Sequence, residues 1–371
     1  MPWMDGMRAV AVLAVIVFHE LIGQPTLGIQ RWATGGGLGV DVFFAISGFL
    51  ITTLLLQEAR DSGAIHFGAF YLRRARRLLP ALYVILAVLV VASFADHGHQ
   101  RVVLLERVAI TFFYASNWVM ALGGKTMQEL NHTWSLAAEE QFYLLWPALL
   151  TGLLVVTRRW KPALFAGLVT IAAVALAWPQ MAAARHWSFT RVYYGLDTRA
   201  AALAVGALLG ALWVYDLLPK GPSWAAGRRV GAIIGVAFIA LEFHNIGFVH
   251  HLSSIGVDRV HADYEVFALM GVATTFVLWE LLESAPHVAH RILSLPPLVA
   301  IGRISYGLYL WDVVVVLALT PSWTGIHGLR LVALHLVAIF GLAITSWFVI
   351  ERRFVARRTR TAAPALATAA A

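Results

Sequence analysis

Residues 5–20 read DGMRAVAVLAVIVFHE, and this stretch decides the fold. Ten residues, nearly all apolar, separate Arg8 from His19, so the run reads as a membrane helix with a polar group at each end. Eleven steps of about 100° make nearly three whole turns, which puts both groups on one helix face, roughly 16 Å apart along the axis. A charge and a titratable imidazole on one face of a membrane helix are costly, so the pair is a candidate functional site.

Composition extends that reading to the whole chain of 371 residues, of which 60% are hydrophobic and 13% charged. A soluble domain carries about twice that charged fraction. The chain is expected to be all-α, a polytopic transmembrane bundle. Its net charge of +8 does not point to nucleic acid, because the basic residues cluster beside apolar runs, where membrane proteins mark their cytoplasmic side. The absence of cysteine excludes disulfides, thiolate catalysis and cysteine metal sites. No basic n-region or A-x-A-like cleavage site precedes the first apolar run, so that run is read as a retained span.

Ten strong apolar runs cover 7–23, 38–57, 79–95, 140–157, 162–178, 199–215, 230–247, 264–282, 298–319 and 329–350, and a weaker one covers 104–122. Positive-inside bias makes two basic clusters cytoplasmic: Arg60 with Arg73, Arg74, Arg76 and Arg77, and Arg352, Arg353, Arg357, Arg358 and Arg360. Arg158, Arg159 and Lys161, and later Lys220, Arg228 and Arg229, mark two further inner loops. These assignments agree only if 104–122, with Glu106, Arg107, Ser116 and Asn117, is re-entrant or interfacial. The expectation is therefore ten spans with both termini inside, an integral-membrane domain over 1–356 and a disordered cytoplasmic tail over 357–371.

Four segments carry candidate chemistry. In GGGLGVDVFFAISGFLITTLLL, Asp41 sits at a helix start, where it either caps the helix or faces His19 and orients its imidazole. Ser47 and Gly48, in mid-span, read as helix packing. In FYLRRARRLLPALY, Arg73, Arg74, Arg76 and Arg77 are either a topology signal or a clamp for a phosphorylated ligand. In NHTWSLAAEEQFYLLWP, Glu139 and Glu140 fall in a first turn, either stabilising the helix dipole or joining His19 and Asp41 at one membrane level. In RVYYGLDTRAAALAVGALL, Asp197 and Arg199 stand at an outer span end, Arg199 as a snorkelling contact or as a ligand for an acceptor or oxyanion. His250, His251, His261, Asp258 and Asp263 share an outer loop and read as solvated residues, and no metal site is expected.

Taken in order, DGMRAVAVLAVIVFH, GGLGVDVFFAISGFLIT, FYLRRARRLLPALY, WSLAAEEQFYLLWP, the segment Tyr194 to Arg199 and ISYGLYLW resemble the successive motifs of the acyltransferase-3 family of integral-membrane acyltransferases. The resemblance covers roughly residues 5–354. It implies a bacterial inner or plasma membrane, an acyl-CoA donor used from the cytoplasm, and a hydroxyl-bearing sugar, glycolipid or metabolite as acceptor. No permanently bound cofactor is implied. Arg8 and His19 match the family's Arg–ten residues–His signature. The resemblance makes His19 the general base or transient acyl carrier, with Asp41 and Glu139 beside it. It makes Arg8, Arg73, Arg74, Arg76 and Arg77 the holders of the CoA phosphates, and Asp197, Arg199 and Tyr306 the acceptor side. One departure stands out: the late SYxxYLxH motif reads SYGLYLWD, so Asp312 takes the place of a histidine. A soluble extension after the last span, as in members with a fused esterase-like domain, is not expected, nor is the basic segment common in the family before the first motif.

The rival expectation is a proton-coupled transporter of a small solute, since intramembrane Asp, Glu, His and Arg also serve proton relays. Such folds often carry internal repeats and paired broken helices, and no repeat is visible in this sequence.

Overall fold

A computed structural model describes residues 1–23, 35–95, 98–124, 126–158, 160–244 and 259–356, and every regular element among them is helical. The helices are α1 (Pro2–Gly23), α2 (Gly39–Ser62), α3 (Phe67–Ala92), α4 (His99–Phe112), α5 (Ser116–Ala121), α6 (Thr133–Val156), α7 (Lys161–Ala184) and α8 (Phe189–Tyr194). They continue with α9 (Leu196–Val214), α10 (Pro222–Phe243), α11 (Arg259–Glu283), α12 (Val288–Leu293), α13 (Pro296–Arg303), α14 (Ser305–Ala318) and α15 (Leu329–Ser346). A π-helical turn, Trp347–Glu351, carries α15 into Arg352–Ala356.

Each of the ten strong apolar runs is helical over most of its described residues. Among the described residues seven segments are long and apolar enough to cross a membrane, or eight if the bent pair α13–α14 is one span. The two that fall outside this set are α1, with Arg8, His19 and Glu20, and α6, with Glu139 and Glu140. The weaker run splits at Tyr114, whose φ is 52°, into helices of 14 and 6 residues, both shorter than the about 20 residues a span needs. The run 298–319 is likewise two helices, meeting at 68° around Ile304. The tail 357–371 lies outside the described residues, as do Arg159, His250, His251 and Asp258, while His261 and Asp263 belong to α11 and not to a loop.

Two starts differ from the sequence reading, and both matter for the site. Helix α3 begins at Phe67, so its four arginines lie on a helix and not in a loop. Arg74 and Arg77, three apart, share one face, and Arg73 and Arg76 share another. Helix α6 begins at Thr133, so Glu139 and Glu140 lie about two turns in, beyond the first turn where the helix dipole acts.

Small residues set the central packing. A Cβ on Gly48 of α2 would fall 2.0 Å from the Leu203 carbonyl oxygen of α9, and one on Gly206 of α9 would fall 2.1 Å from the Ala45 carbonyl oxygen of α2. The two backbones are therefore in direct contact, as interfaces of small residues allow. The glycine run before α2 works the same way against α1, where a Cβ on Gly36 would meet the Ala14 oxygen at 2.2 Å and one on Gly39 the Ala11 oxygen at 2.6 Å. These contacts fix an antiparallel register in which Asp41 stands level with Ala9.

Gly206→Val should cost about 1–3 kcal/mol through overpacking against a backbone that cannot retreat. Thermal unfolding of the detergent-purified protein should show a clearly lowered midpoint, whereas the same change at Gly152, whose Cβ would meet nothing within 4 Å, should leave it nearly unmoved.

Candidate active site

Near the C-terminal end of α1, His19 Nδ1 lies 2.6 Å from Asp312 Oδ2 on α14. Asp312 is fully buried, while the His19 side chain keeps 22% of its accessibility. An ionised carboxylate only accepts hydrogen bonds, so Nδ1 carries the ring proton and Nε2 holds the lone pair. Two more imidazoles stand close by. His335 of α15 places Nδ1 2.9 Å from Glu20 Oε2 and Nε2 3.0 Å from the Leu319 carbonyl. His132, just before α6, is buried and donates from Nε2 to the Leu310 carbonyl at 3.1 Å, leaving Nδ1 buried with no hydrogen-bond partner.

Toward the start of α1, Arg8 lines a cavity together with Ser47 of α2, Arg74 and Arg77 of α3, Ser135, Glu139 and Tyr143 of α6, and Ser305, Tyr306 and Tyr309 of α14. Glu139 accepts from both the Ser47 hydroxyl and the Tyr143 hydroxyl. Tyr143 also lies 3.0 Å from Ser47 Oγ and carries the Arg74 guanidinium over its ring at 4.4 Å. Three cations and one carboxylate thus line one cavity.

The cavity and the His19 end are joined by α6 and α14. Ser135, one turn before Glu139, meets the Tyr309 hydroxyl at 2.6 Å, and that hydroxyl donates to the His132 carbonyl at 2.8 Å. Tyr309 in turn stands one turn before Asp312. Ser135, Tyr309 and His132, linked by these hydrogen bonds, thus form a polar track that lies between Glu139 and the His19–Asp312 pair.

Several sequence expectations change. Asp41 neither caps α2 nor meets His19; it pairs with Arg199 at 2.9 Å, both side chains about 1% exposed. In the α1–α2 register Asp41 is ten residues, roughly 15 Å, below His19. Helix α2 starts partway along α1, because its glycines seat against Ala11 and Ala14. Arg199 is closed off from an acceptor by the rings of Phe267 at 3.7 Å and of Trp134 and Tyr193, each at 5.2 Å. Asp197 is held by Arg191 at 2.9 and 2.7 Å and by Trp178 Nε1 at 3.0 Å. Arg73 pairs with Glu58 at 3.3 Å, and neither Arg73 nor Arg76 lines the cavity with Arg74 and Arg77. Glu139 belongs with Arg8 and not with Asp41 and His19. Tyr306 does line the cavity, with its hydroxyl donating to the Leu78 carbonyl at 3.0 Å. The partner of His19 is Asp312, the position where the late motif departs from the family pattern. Its spacing from Tyr309 was a readable signal. Glu20 could be read as a neighbour of His19, but nothing in the sequence singles out His335.

Comparison with known proteins adds the family. The acyltransferase-domain model of acyltransferase-3 matches residues 1–352. A Staphylococcus aureus (strain MSSA476) protein provisionally named an O-acetyltransferase is 35% identical over 324 residues, 85% of this chain and 50% of its own length. The peptidoglycan O-acetyltransferase OatA of Listeria monocytogenes is 33% identical over 337 residues, 86% of this chain and 50% of its own length. The O-acetyltransferase OatA of Staphylococcus aureus (strain NCTC 8325) is 33% identical over 320 residues, 84% of this chain and 50% of its own length. The chain spans about half the length of the curated relatives it matches. No solved structure matches it.

The Asp41–Arg199 pair generates a separable prediction. Asp41→Leu or Arg199→Met alone should destabilise by about 3–5 kcal/mol by stranding a buried charge, while the double replacement should recover most of the loss. Thermal unfolding of the three purified variants in detergent checks this.

Proposed function

The chain belongs to the acyltransferase-3 family, and on that premise we propose a membrane-embedded O-acyltransferase that moves an acyl group from acyl-CoA to an acceptor hydroxyl. Acetyl is the group to expect, and a carbohydrate, glycolipid or metabolite supplies the hydroxyl. The name of the Listeria relative makes peptidoglycan the first acceptor to try. The observation that carries the reading is the carboxylate-held His19 at one end of a polar track whose other end is a cavity with Arg8, Arg74 and Arg77.

In this reading the three guanidiniums hold the CoA phosphates, for which bidentate donors suit. Glu139 keeps its neighbours Ser47, Tyr143 and the cations in place. The long pantetheine arm of the donor follows the track and brings the thioester to His19. With its proton on Nδ1, His19 offers Nε2. It takes the proton of the acceptor hydroxyl as the oxygen attacks the thioester carbonyl, and the thiolate leaves with that proton. Alternatively Nε2 attacks first, carries the acyl group as an acyl-imidazole and passes it to the hydroxyl. Asp312 stabilises the positive charge that His19 carries in either course.

Ten spans with both termini cytoplasmic, in a bacterial inner or plasma membrane, fit this chemistry. Arg60 closes α2 and the α3 arginines open the next helix, so the basic charges gather on one side, the side that supplies acyl-CoA.

The test is transfer of label from acetyl-CoA to peptidoglycan fragments in membranes expressing the protein. His19→Ala should abolish transfer, and Asp312→Asn should lower kcat by about 100-fold or more. Equal labelling by wild type and His19→Ala would remove His19 from the chemistry. Solute flux without CoA consumption would support a carrier instead. Arg74→Gln and Arg77→Gln should each raise KM for acyl-CoA by about tenfold or more, as loss of a charged hydrogen bond does, while Arg73→Gln and Arg76→Gln should leave it nearly unchanged.

A further inference from the structure

Behind the His19–Asp312 pair stands a second carboxylate–imidazole pair with a different geometry. Glu20 and His335 are 3% and 1% exposed, so water does not share their hydrogen bonds. His335 Nε2 faces a carbonyl oxygen, which only accepts, so Nε2 carries a proton. His335 Nδ1 then shares a single proton with Glu20 Oε2 across 2.9 Å. That proton can sit on either atom. On oxygen, both residues are neutral; on nitrogen, they are a carboxylate and an imidazolium. The net charge of the pair is zero in both cases.

Glu20 follows His19 directly in α1, and the groups of the two pairs act on one another electrostatically: Glu20 with His19 and Asp312, and Asp312 with His335. The other titratable groups facing this cluster are His132, from the turn before α6, which interacts with His19, and Tyr309, which interacts with Asp312.

We propose that Glu20 and His335 are positioning residues for the acyl transfer, a proton-sharing pair that answers the charge appearing on His19. This rests on the acyltransferase reading above. As His19 Nε2 takes the acceptor's proton or the acyl group, the ring gains a positive charge. The O–H bond of Glu20 breaks and an N–H bond forms at His335 Nδ1. Negative charge is left on Glu20, beside His19, and positive charge moves to His335, against the Leu319 carbonyl. When His19 returns to neutral, the proton goes back. No proton enters or leaves the pair, so the step balances without any other reactant. Asp312 alone offsets one charge, and the second pair adds a response without placing a permanent extra charge in an apolar interior.

Glu20→Gln isolates this property. The amide can donate to Nδ1 of a neutral His335, whose Nε2 bond to Leu319 is kept, but it cannot give up a proton. His335→Gln removes the proton acceptor and keeps a donor for Leu319. Wild type, both single variants and the double variant are assayed in membranes with labelled acetyl-CoA and peptidoglycan fragments from about pH 5 to pH 9. Each single variant should lose about tenfold or more in kcat, with KM for acetyl-CoA within about twofold of wild type. The imidazolium of His19 is less favoured without a Glu20 carboxylate, so free-base His19 persists to lower pH. The acid limb of the rate profile should therefore move down by about one pH unit. The double variant should be no worse than either single one, because both break one transfer.

Wild-type kcat and an unmoved acid limb in Glu20→Gln overturn the proposal. A wild type that transfers no label overturns the acyltransferase reading and this proposal with it. If neither variant folds, ¹⁵N-histidine spectra of the wild-type protein decide: His335 should become cationic together with His19, and a His335 whose ring stays neutral throughout overturns the idea.

Discussion

A charge carried into an apolar interior must meet its counter-charge there, and the Asp41–Arg199 pair is where this chain meets that demand most fully. Asp41 opens α2 and Arg199 lies in the first turn of α9, the two helices whose backbones touch at Gly48 and Gly206. The guanidinium is ringed by Phe267 from α11, Trp134 from α6 and Tyr193 from α8. Five helices are thereby referred to one ion pair. Buried pairs of this kind are weak as net stabilisers, since desolvation offsets much of their attraction. Their effect here is geometric: α2 and α9 cannot slide past one another without separating a buried carboxylate from its cation.

That fixed frame lets α14 act as the common wall of the site. Its break from α13 at Ile304 turns it by 68°, so Ser305, Tyr306 and Tyr309 face the arginine cavity while Asp312, one turn further, reaches His19. Helix α1 runs alongside with Arg8 at the cavity and His19 at the far end. Roughly three helical turns lie between them. Helices α1 and α6, the two that fall outside the set of membrane-crossing segments among the described residues, are the two that supply His19, Arg8 and Glu139. A membrane protein tolerates such helices only where neighbours cover their polar faces, and here α2, α3 and α14 do so.

The helical fold was legible in the sequence because long apolar runs leave few alternatives in an apolar solvent, and each strong run is helical over most of its described residues. Less legible was where helices begin. Arginines extend α3 back to Phe67, and the WSLAAEE segment extends α6 back to Thr133, since neither hydropathy nor charge marks a helix start among residues that suit helices well. The site was half legible. Arg8, Arg74, Arg77, Glu139 and Tyr306 do share a cavity, and spacing alone put Arg8 and His19 on one face. That Asp41 does not reach His19 was not readable, because it depends on how far α2 is offset along α1. That offset comes from glycine contacts with Ala11 and Ala14 that only the folded chain displays. His335, more than three hundred residues from its partner Glu20, carries no local signal at all.

Asp312 acquires its meaning from these neighbours. Read in the sequence, a carboxylate where the family pattern has a histidine casts doubt on proton transfer at that position. In the fold, Asp312 need not transfer a proton. It holds Nδ1 of His19 and fixes which ring nitrogen is free. A carboxylate there would leave an unmatched charge when His19 is neutral, and Asp312 Oδ1 and Glu20 Oε1 are both buried without hydrogen-bond partners. Two carboxylates and two imidazoles share this small volume, and the protons they share in pairs keep the total charge low. A histidine at position 312 would need no such balance, so the aspartate, Glu20 and His335 are best understood as one arrangement.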